Sequence, residues 1–182
     1  MTVSDTTIPG LRLIELDIHA DDRGSFREVW QTTKMQALGL PEIKPVQMNV
    51  AESRRGVLRG IHAEPWDKYI HLAYGSGVSV ILDIREDSPA FGSWELFEMD
   101  RTKALFVPEG LGNSFQATSD LAVYTYLYTA HWQAGVKYTE VAFDDPELAI
   151  PWPIVGAERI VSEKDMHNKT FKEIYPREMP LR

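Results

Sequence analysis

Val78-Ser-Val-Ile-Leu-Asp-Ile84 puts Val78, Val80, Leu82 and Ile84 on one side of an extended chain, because successive side chains of a strand point to opposite faces. The same period of two returns in Ala122-Val-Tyr-Thr-Tyr-Leu-Tyr128, where Tyr124, Tyr126 and Tyr128 share a face. Outward from these, Leu11–Ile18, Val57–Glu64, Tyr69–Tyr74, Trp94–Met99 and Ala104–Val107 also read as strands. Turn signals such as Gly75-Ser-Gly77 and Pro108-Glu-Gly110 separate them. Helical pattern is scarce. One short helix is expected over Thr32–Leu38, closed by Gly39 and Pro41. A second is expected near Ser162-Glu-Lys-Asp165, which has capping-box spacing. Many short strands and few helices predict an all-β protein, a sandwich, jelly roll or closed barrel. There is no internal repeat or linker, so residues 1–182 are expected to form one domain.

Charge and composition exclude several functions. Nineteen basic residues stand against 27 acidic ones, a net charge of −8, which argues against a nucleic-acid or anionic-membrane partner. The chain has no cysteine, which removes disulfides, thiolate metal sites and cysteine nucleophiles. The N-terminal residues, Met1 to Gly10, contain neither a basic region nor an apolar run, and no stretch reaches the ~18 apolar residues of a membrane span. A cytoplasmic location is the expectation.

The chemistry must come from the remaining polar residues. His19, His62, His71, His131 and His167 include no His-x-His pair, and nothing in their spacing gathers the three ligands of a zinc or iron site. No metal is expected. His62 lies between Leu58-Arg-Gly60 and the polar-aromatic run Glu64-Pro-Trp-Asp-Lys-Tyr69. An imidazole titrates near neutrality, so it can take a carbon-bound proton if a carboxylate steadies its cation. A half-buried structural histidine is the competing reading. Asp21-Asp-Arg-Gly-Ser-Phe-Arg-Glu28 offers a guanidinium beside a glycine, suited to a phosphate, or else simply a turn.

Taken together, several stretches resemble the dTDP-4-dehydrorhamnose 3,5-epimerases. They are Asp22-Arg-Gly-x-Phe-x-Glu28, Gln47-x-Asn49, Gly56-Val-Leu-Arg-Gly-Ile-His62, Asp83-Ile-Arg-x-x-Ser-Pro-x-Phe-Gly92, Val107-Pro-Glu-Gly110, Asp145-Pro-x-Leu-x-Ile-x-Trp-Pro153 and Ser162-Glu-Lys-Asp165. Their order and spacing match the family from about Ile8 to Asp165. The resemblance implies a cupin-type jelly-roll barrel, a homodimer, and cofactor-free epimerisation of dTDP-4-dehydro-6-deoxy-D-glucose at C5 and C3. A mono-epimerase of a related dTDP-4-keto-6-deoxy sugar, or a non-catalytic cupin that binds a nucleotide sugar, are the alternatives.

By the same resemblance His62 is the base, Asp165 its partner and Tyr126 the acid, while Lys68 faces charge developing at O4. Arg59 would contact the sugar or diphosphate, and Arg23, Phe26, Glu28, Gln47 and Asn49 are further ligand-binding positions. Rival roles stand beside these: Asp165 as a helix cap, Tyr124 or Tyr128 in place of Tyr126, and Lys68 as a solvated lysine. The chain departs from the family at Gly112-Asn-Ser114, where many members have Ala-His-Gly, and at His131-Trp132 near a second late tyrosine. Asn113 and Trp132 are therefore expected to modify the ligand site. In an ideal strand Arg59 and His62 point to opposite faces. Both can reach one site only if the strand is irregular at Gly60.

Overall fold

The alternating segments pair into two large sheets in the computed structural model, which describes residues 1–176. The first sheet contains β1 (Thr2–Asp5), β2 (Arg12–Glu15), β5 (Gln47–Arg54), β7 (Lys68–Tyr74), β10 (Lys103–Val107) and β12 (Leu121–Tyr128), in the order β1-β2-β10-β7-β12-β5. The second contains β6 (Val57–Ala63), β8 (Gly77–Asp83), β9 (Trp94–Met99), β11 (Leu111–Ala117) and β13 (Thr139–Glu140), in the order β13-β6-β11-β8-β9. A short β14 (Ile160–Val161) runs parallel to β6. β3 (His19–Asp21) and β4 (Gly24–Phe26) make a separate hairpin.

Between the sheets, Ile70, Leu72, Leu105 and Val107 of the first pack with Ile81, Met99, Leu111 and Phe115 of the second. Two antiparallel sheets joined by this core form a jelly roll. The outer face of the first sheet is partly covered by α1 (Thr32–Ala37) and the segment after it, through Met35, Leu40 and Ile43 packed near Tyr69 and Phe106. Gly39 ends α1 at φ +92°, as the sequence predicts.

The structure extends the sequence reading at β8 and corrects it at Ser162–Asp165. β8 is buried along its whole length. Ser79 and Ile81 face the first sheet, Ile81 within the core and Ser79 bonded to Tyr124, whereas the row Val78, Val80 and Leu82 faces outward and is covered by the chain from Val141 to Phe171. Trp152 and Phe143 cover Val78 and Val80, while Leu148 and Phe171 cover Leu82. Ser162–Asp165 opens a single 3-10 turn over Asp165–His167 instead of an α-helix. The Ser162 hydroxyl accepts from the Asp165 N–H at 3.1 Å, so half of the capping box is real. The complete box lies at Thr170 and Glu173, heading α2 (Phe171–Ile174).

Several of the stretches that carry the resemblance are structural. Asp83 is fully buried and accepts from the Arg85 guanidinium at 2.9 and 2.6 Å and from the Ser88 hydroxyl at 2.6 Å. Asp145 accepts the N–H groups of Glu147, Leu148 and Phe171 at 2.8, 3.0 and 2.6 Å, tying the covering segment to itself.

Candidate functional site

Irregularity in β6 creates the site. Opposite β11, the pairing steps from Asn113↔His62 to Phe115↔Arg59, so the register shifts at Gly60. Gly60 has φ +119°, and a Cβ there would meet the Ser114 Cβ at 2.5 Å. Only glycine fits this backbone and this contact. With the alternation broken, Arg59 and His62 both line one cavity of about 410 Å³, as the parity argument requires.

His62 Nε2 lies 2.7 Å from Asp165 Oδ1. Asp165 is 5% exposed, and its burial alone would raise its pKa. The hydrogen bond and charge of His62, the Ser162 hydroxyl and the Gly60 N–H outweigh that effect and hold the carboxyl below its ordinary value. Asp165 is therefore an anion whose hydrogen bond fixes the imidazole. Its roles as turn residue and as histidine partner coexist: the backbone N–H meets Ser162 while the carboxylate meets His62.

The opposite wall belongs to the first sheet. Tyr124, Tyr126 and Tyr128 of β12 all line the cavity, their rings tilted to one another at centroid spacings of 5.8 and 5.2 Å. Their surroundings differ. Tyr124 is buried and donates to Asn113 Oδ1 at 3.3 Å, and Tyr128 donates to Glu64 Oε1 at 3.3 Å. Tyr126 is less buried and shows no hydrogen bond of its hydroxyl to protein among the described residues. Burial raises its pKa, opposed by the Arg59 charge and reinforced by Glu64, so the phenol holds its proton. A protonated phenol thus faces an imidazole across the cavity.

Lys68 is neither solvated nor on the cavity wall. It is 1% exposed, ion-paired with Glu64, and donates to the His62 carbonyl at 3.3 Å. Burial pushes its pKa down while Glu64 pulls it up. Glu64 itself lines the cavity, standing between Lys68 and Tyr128. Arg59 is anchored to the Ser53 hydroxyl at 3.1 Å and the Glu52 carbonyl at 3.2 Å. Asn113 also lines the cavity. Gln47 and Asn49 pair in register with Tyr128 and Tyr126 and bond each other at 2.9 Å, so they border the wall.

The remaining predicted positions stand apart. Arg23 is paired with Asp21 at 2.6 Å, its side chain 90% exposed, and Glu28 is paired with Lys34 at 2.7 Å. Phe26 is 68% exposed. None of the three lines this cavity. Trp132 is half exposed and reaches the site only through its backbone N–H, 2.8 Å from Gln47 Oε1.

Sequence reasoning missed Glu64, Tyr138, Glu140 and Lys164. Glu64 and Lys164 lay inside quoted stretches but carried no role, and Thr139-Glu140 belongs to no recognised motif. Glu140 Oε1 is 3.7 Å from His62 Nε2, and His62, Glu140 and Asp165 bring one donor atom each within 4.8 Å of one another. The set does not fit a cation: Lys164 Nζ already sits 2.5 Å from Glu140 Oε1, and Asp165 is engaged with His62.

The family described as dTDP-4-dehydrorhamnose 3,5-epimerase matches residues 5–173. The dTDP-4-dehydrorhamnose 3,5-epimerase of Streptomyces griseus is 39% identical over 166 residues, 87% of this chain and 81% of that protein. A dTDP-4-dehydro-6-deoxyglucose 3-epimerase of a Streptomyces species is 36% identical over 160 residues, 85% of this chain and 81% of that protein. Among solved structures, RmlC from Streptococcus suis in complex with dTDP-D-xylose superimposes with a TM-score of 0.89 at 39% identity, covering 96% of this chain and 93% of that one.

Proposed function

Because the chain belongs to the dTDP-4-dehydrorhamnose 3,5-epimerase family, a family of isomerases, we propose that it inverts C5 and C3 of dTDP-4-dehydro-6-deoxy-D-glucose by proton transfer alone. The observation that carries this reading is the His62–Asp165 pair facing Tyr126 across one cavity. Protons at C3 and C5 flank a ketone, so removing one yields an enolate. Inversion then requires a base on one face of the sugar ring and an acid on the other. His62, steadied by Asp165, takes the proton, and the Tyr126 phenol returns one to the opposite face. Lys68, joined to the wall through Glu64, supplies positive charge behind the cavity, and Arg59 binds the diphosphate.

A second copy completes the proposal. β5 is an edge strand whose outer row exposes Met48 and Val50, with Val46 beside it, an arrangement that suits a homodimer. Arg23, Phe26 and Glu28 do not line their own chain's cavity, and in a dimer they are available to the cavity of the other copy. Sedimentation of the pure protein tests this: a monomer would remove that assignment.

The 3-epimerase among the relatives carries a second reading, inversion at C3 only. Incubation of the keto sugar with the protein in D₂O, followed by proton NMR, separates the two. Deuterium at C3 and C5 supports double inversion, and deuterium at one carbon supports the mono-epimerase. Exchange at neither carbon would overturn both.

A further inference from the structure

We propose that Glu140, clamped by Lys164, is a positioning residue for His62: it gives the imidazole a second anionic face and keeps Asp165 its only hydrogen-bonded carboxylate. The inference rests on the reading of His62 as the base. β13 pairs antiparallel with β6, and Glu140 lies directly opposite His62 in register, which places their side chains on one face. At 3.7 Å from Nε2 the carboxylate is too far to hydrogen-bond but close enough for strong attraction to an imidazolium.

Lys164 keeps it at that distance. Its Nζ is 2.5 Å from Glu140 Oε1 and 3.2 Å from the Tyr138 hydroxyl, and lies 5.0 Å over the Tyr138 ring. That ring in turn meets His62 edge-on at 5.9 Å. Lys164 and Asp165 are adjacent, so one short segment delivers a carboxylate to the imidazole and a cation to the carboxylate that would compete for it. A freed Glu140 could rotate towards Nε2 and displace Asp165, turning the ring away from Tyr126.

The other groups around His62 do not duplicate this role. Arg59 lies on its own strand and Glu64 directly after it, and both face the cavity, with Glu64 already paired to Lys68. Asn113 of β11 is uncharged, and Tyr126 of β12 stands across the cavity. Lys68 meets only the His62 carbonyl.

The test is the titration of the His62 imidazole in the ligand-free protein, read by proton NMR and assigned by the signal missing from His62→Ala. The pH dependence of kcat/KM for deuterium exchange is the companion reading. Glu140→Gln removes the anion and leaves the cation, so the midpoint moves to lower pH by about 0.5–1 unit; Lys164→Met does the reverse by a similar amount. The double variant falls between them. Lys164→Arg, which retains the clamp, stays within about 0.2 unit of the parent. Equal directions in the two single variants, or no movement in either, would overturn the proposal, as would lost activity with an unchanged titration. Persistent exchange in His62→Ala would instead defeat the reading of His62 as base and leave the titration result intact.

Discussion

The Nε2 atom of His62 lies 2.7 Å from Oδ1 of Asp165, although 103 residues separate them in the chain. The contact exists because β14 runs beside β6 and carries the following turn into the cavity wall. Asp165→Asn preserves the turn, since the hydrogen bond to Ser162 uses the backbone N–H. It removes the carboxylate's charge and exchanges an acceptor for an amide. The expected outcome is a fall in kcat of about 10²–10⁴-fold with KM little changed. Steady-state kinetics beside a thermal melt checks it: the folded protein should lose rate, not stability.

Gly60 is the backbone counterpart of that pair. A methyl group there would lie 2.5 Å from the Ser114 Cβ, 2.7 Å from its Cα and 2.8 Å from the Asn113 carbonyl, on a residue at φ +119°. Two of these neighbours are backbone atoms, so no rotamer change relieves the contact. Gly60→Ala should destabilise by about 3 kcal/mol or more, measured by urea denaturation. A loss under about 1 kcal/mol would show that the β6 irregularity tolerates a side chain.

How much of this was legible depended on what each residue's signal encoded. The strand period located β8 and β12, and parity, joined to the resemblance that put Arg59 and His62 in one site, demanded the break at Gly60. The period did not reveal that β8 is covered on both faces, because Phe143 and Trp152 arrive from far along the chain. His62, Asp165 and Tyr126 were found through resemblance, and the structure brings all three to one cavity. Glu140 left no local trace, since its importance comes only from pairing opposite His62. The charge partners of Lys68 were likewise hidden, because a lysine four residues after a glutamate in a strand-turn-strand segment has no fixed geometry.

That buried pair yields a separable prediction. Lys68 and Glu64 are ion-paired inside the barrel, and Tyr128 donates to the same carboxylate. Lys68→Met strands an anion and should cost about 3–5 kcal/mol, whereas the isosteric double variant Glu64→Gln/Lys68→Met should recover most of that loss. Turnover should not recover with it if Lys68 also stabilises charge at O4. Denaturation midpoints and kcat measured on the same three proteins decide the matter. Full recovery of both would reduce Lys68 to a structural role.

His71 is expected to contribute to acid sensitivity of the fold. It sits on β7 with Nε2 2.6 Å from the Thr125 hydroxyl, and burial, aided by the Arg27 charge, lowers its pKa from 6.5 to about 4. The unfolded chain therefore binds a proton below about 6.5 that the native state refuses until about 4. Stability contributed by the neutral ring is complete above this window and declines as pH falls through it, by up to about 3 kcal/mol in total. His71→Gln keeps a side-chain hydrogen-bonding group and removes the titration. Urea denaturation at about pH 7 and about pH 4.5 should give a loss for the parent that exceeds the variant's by about 2 kcal/mol. Equal losses in the two proteins would place the acid sensitivity elsewhere, in carboxylates such as Asp165 whose native state favours the charged form.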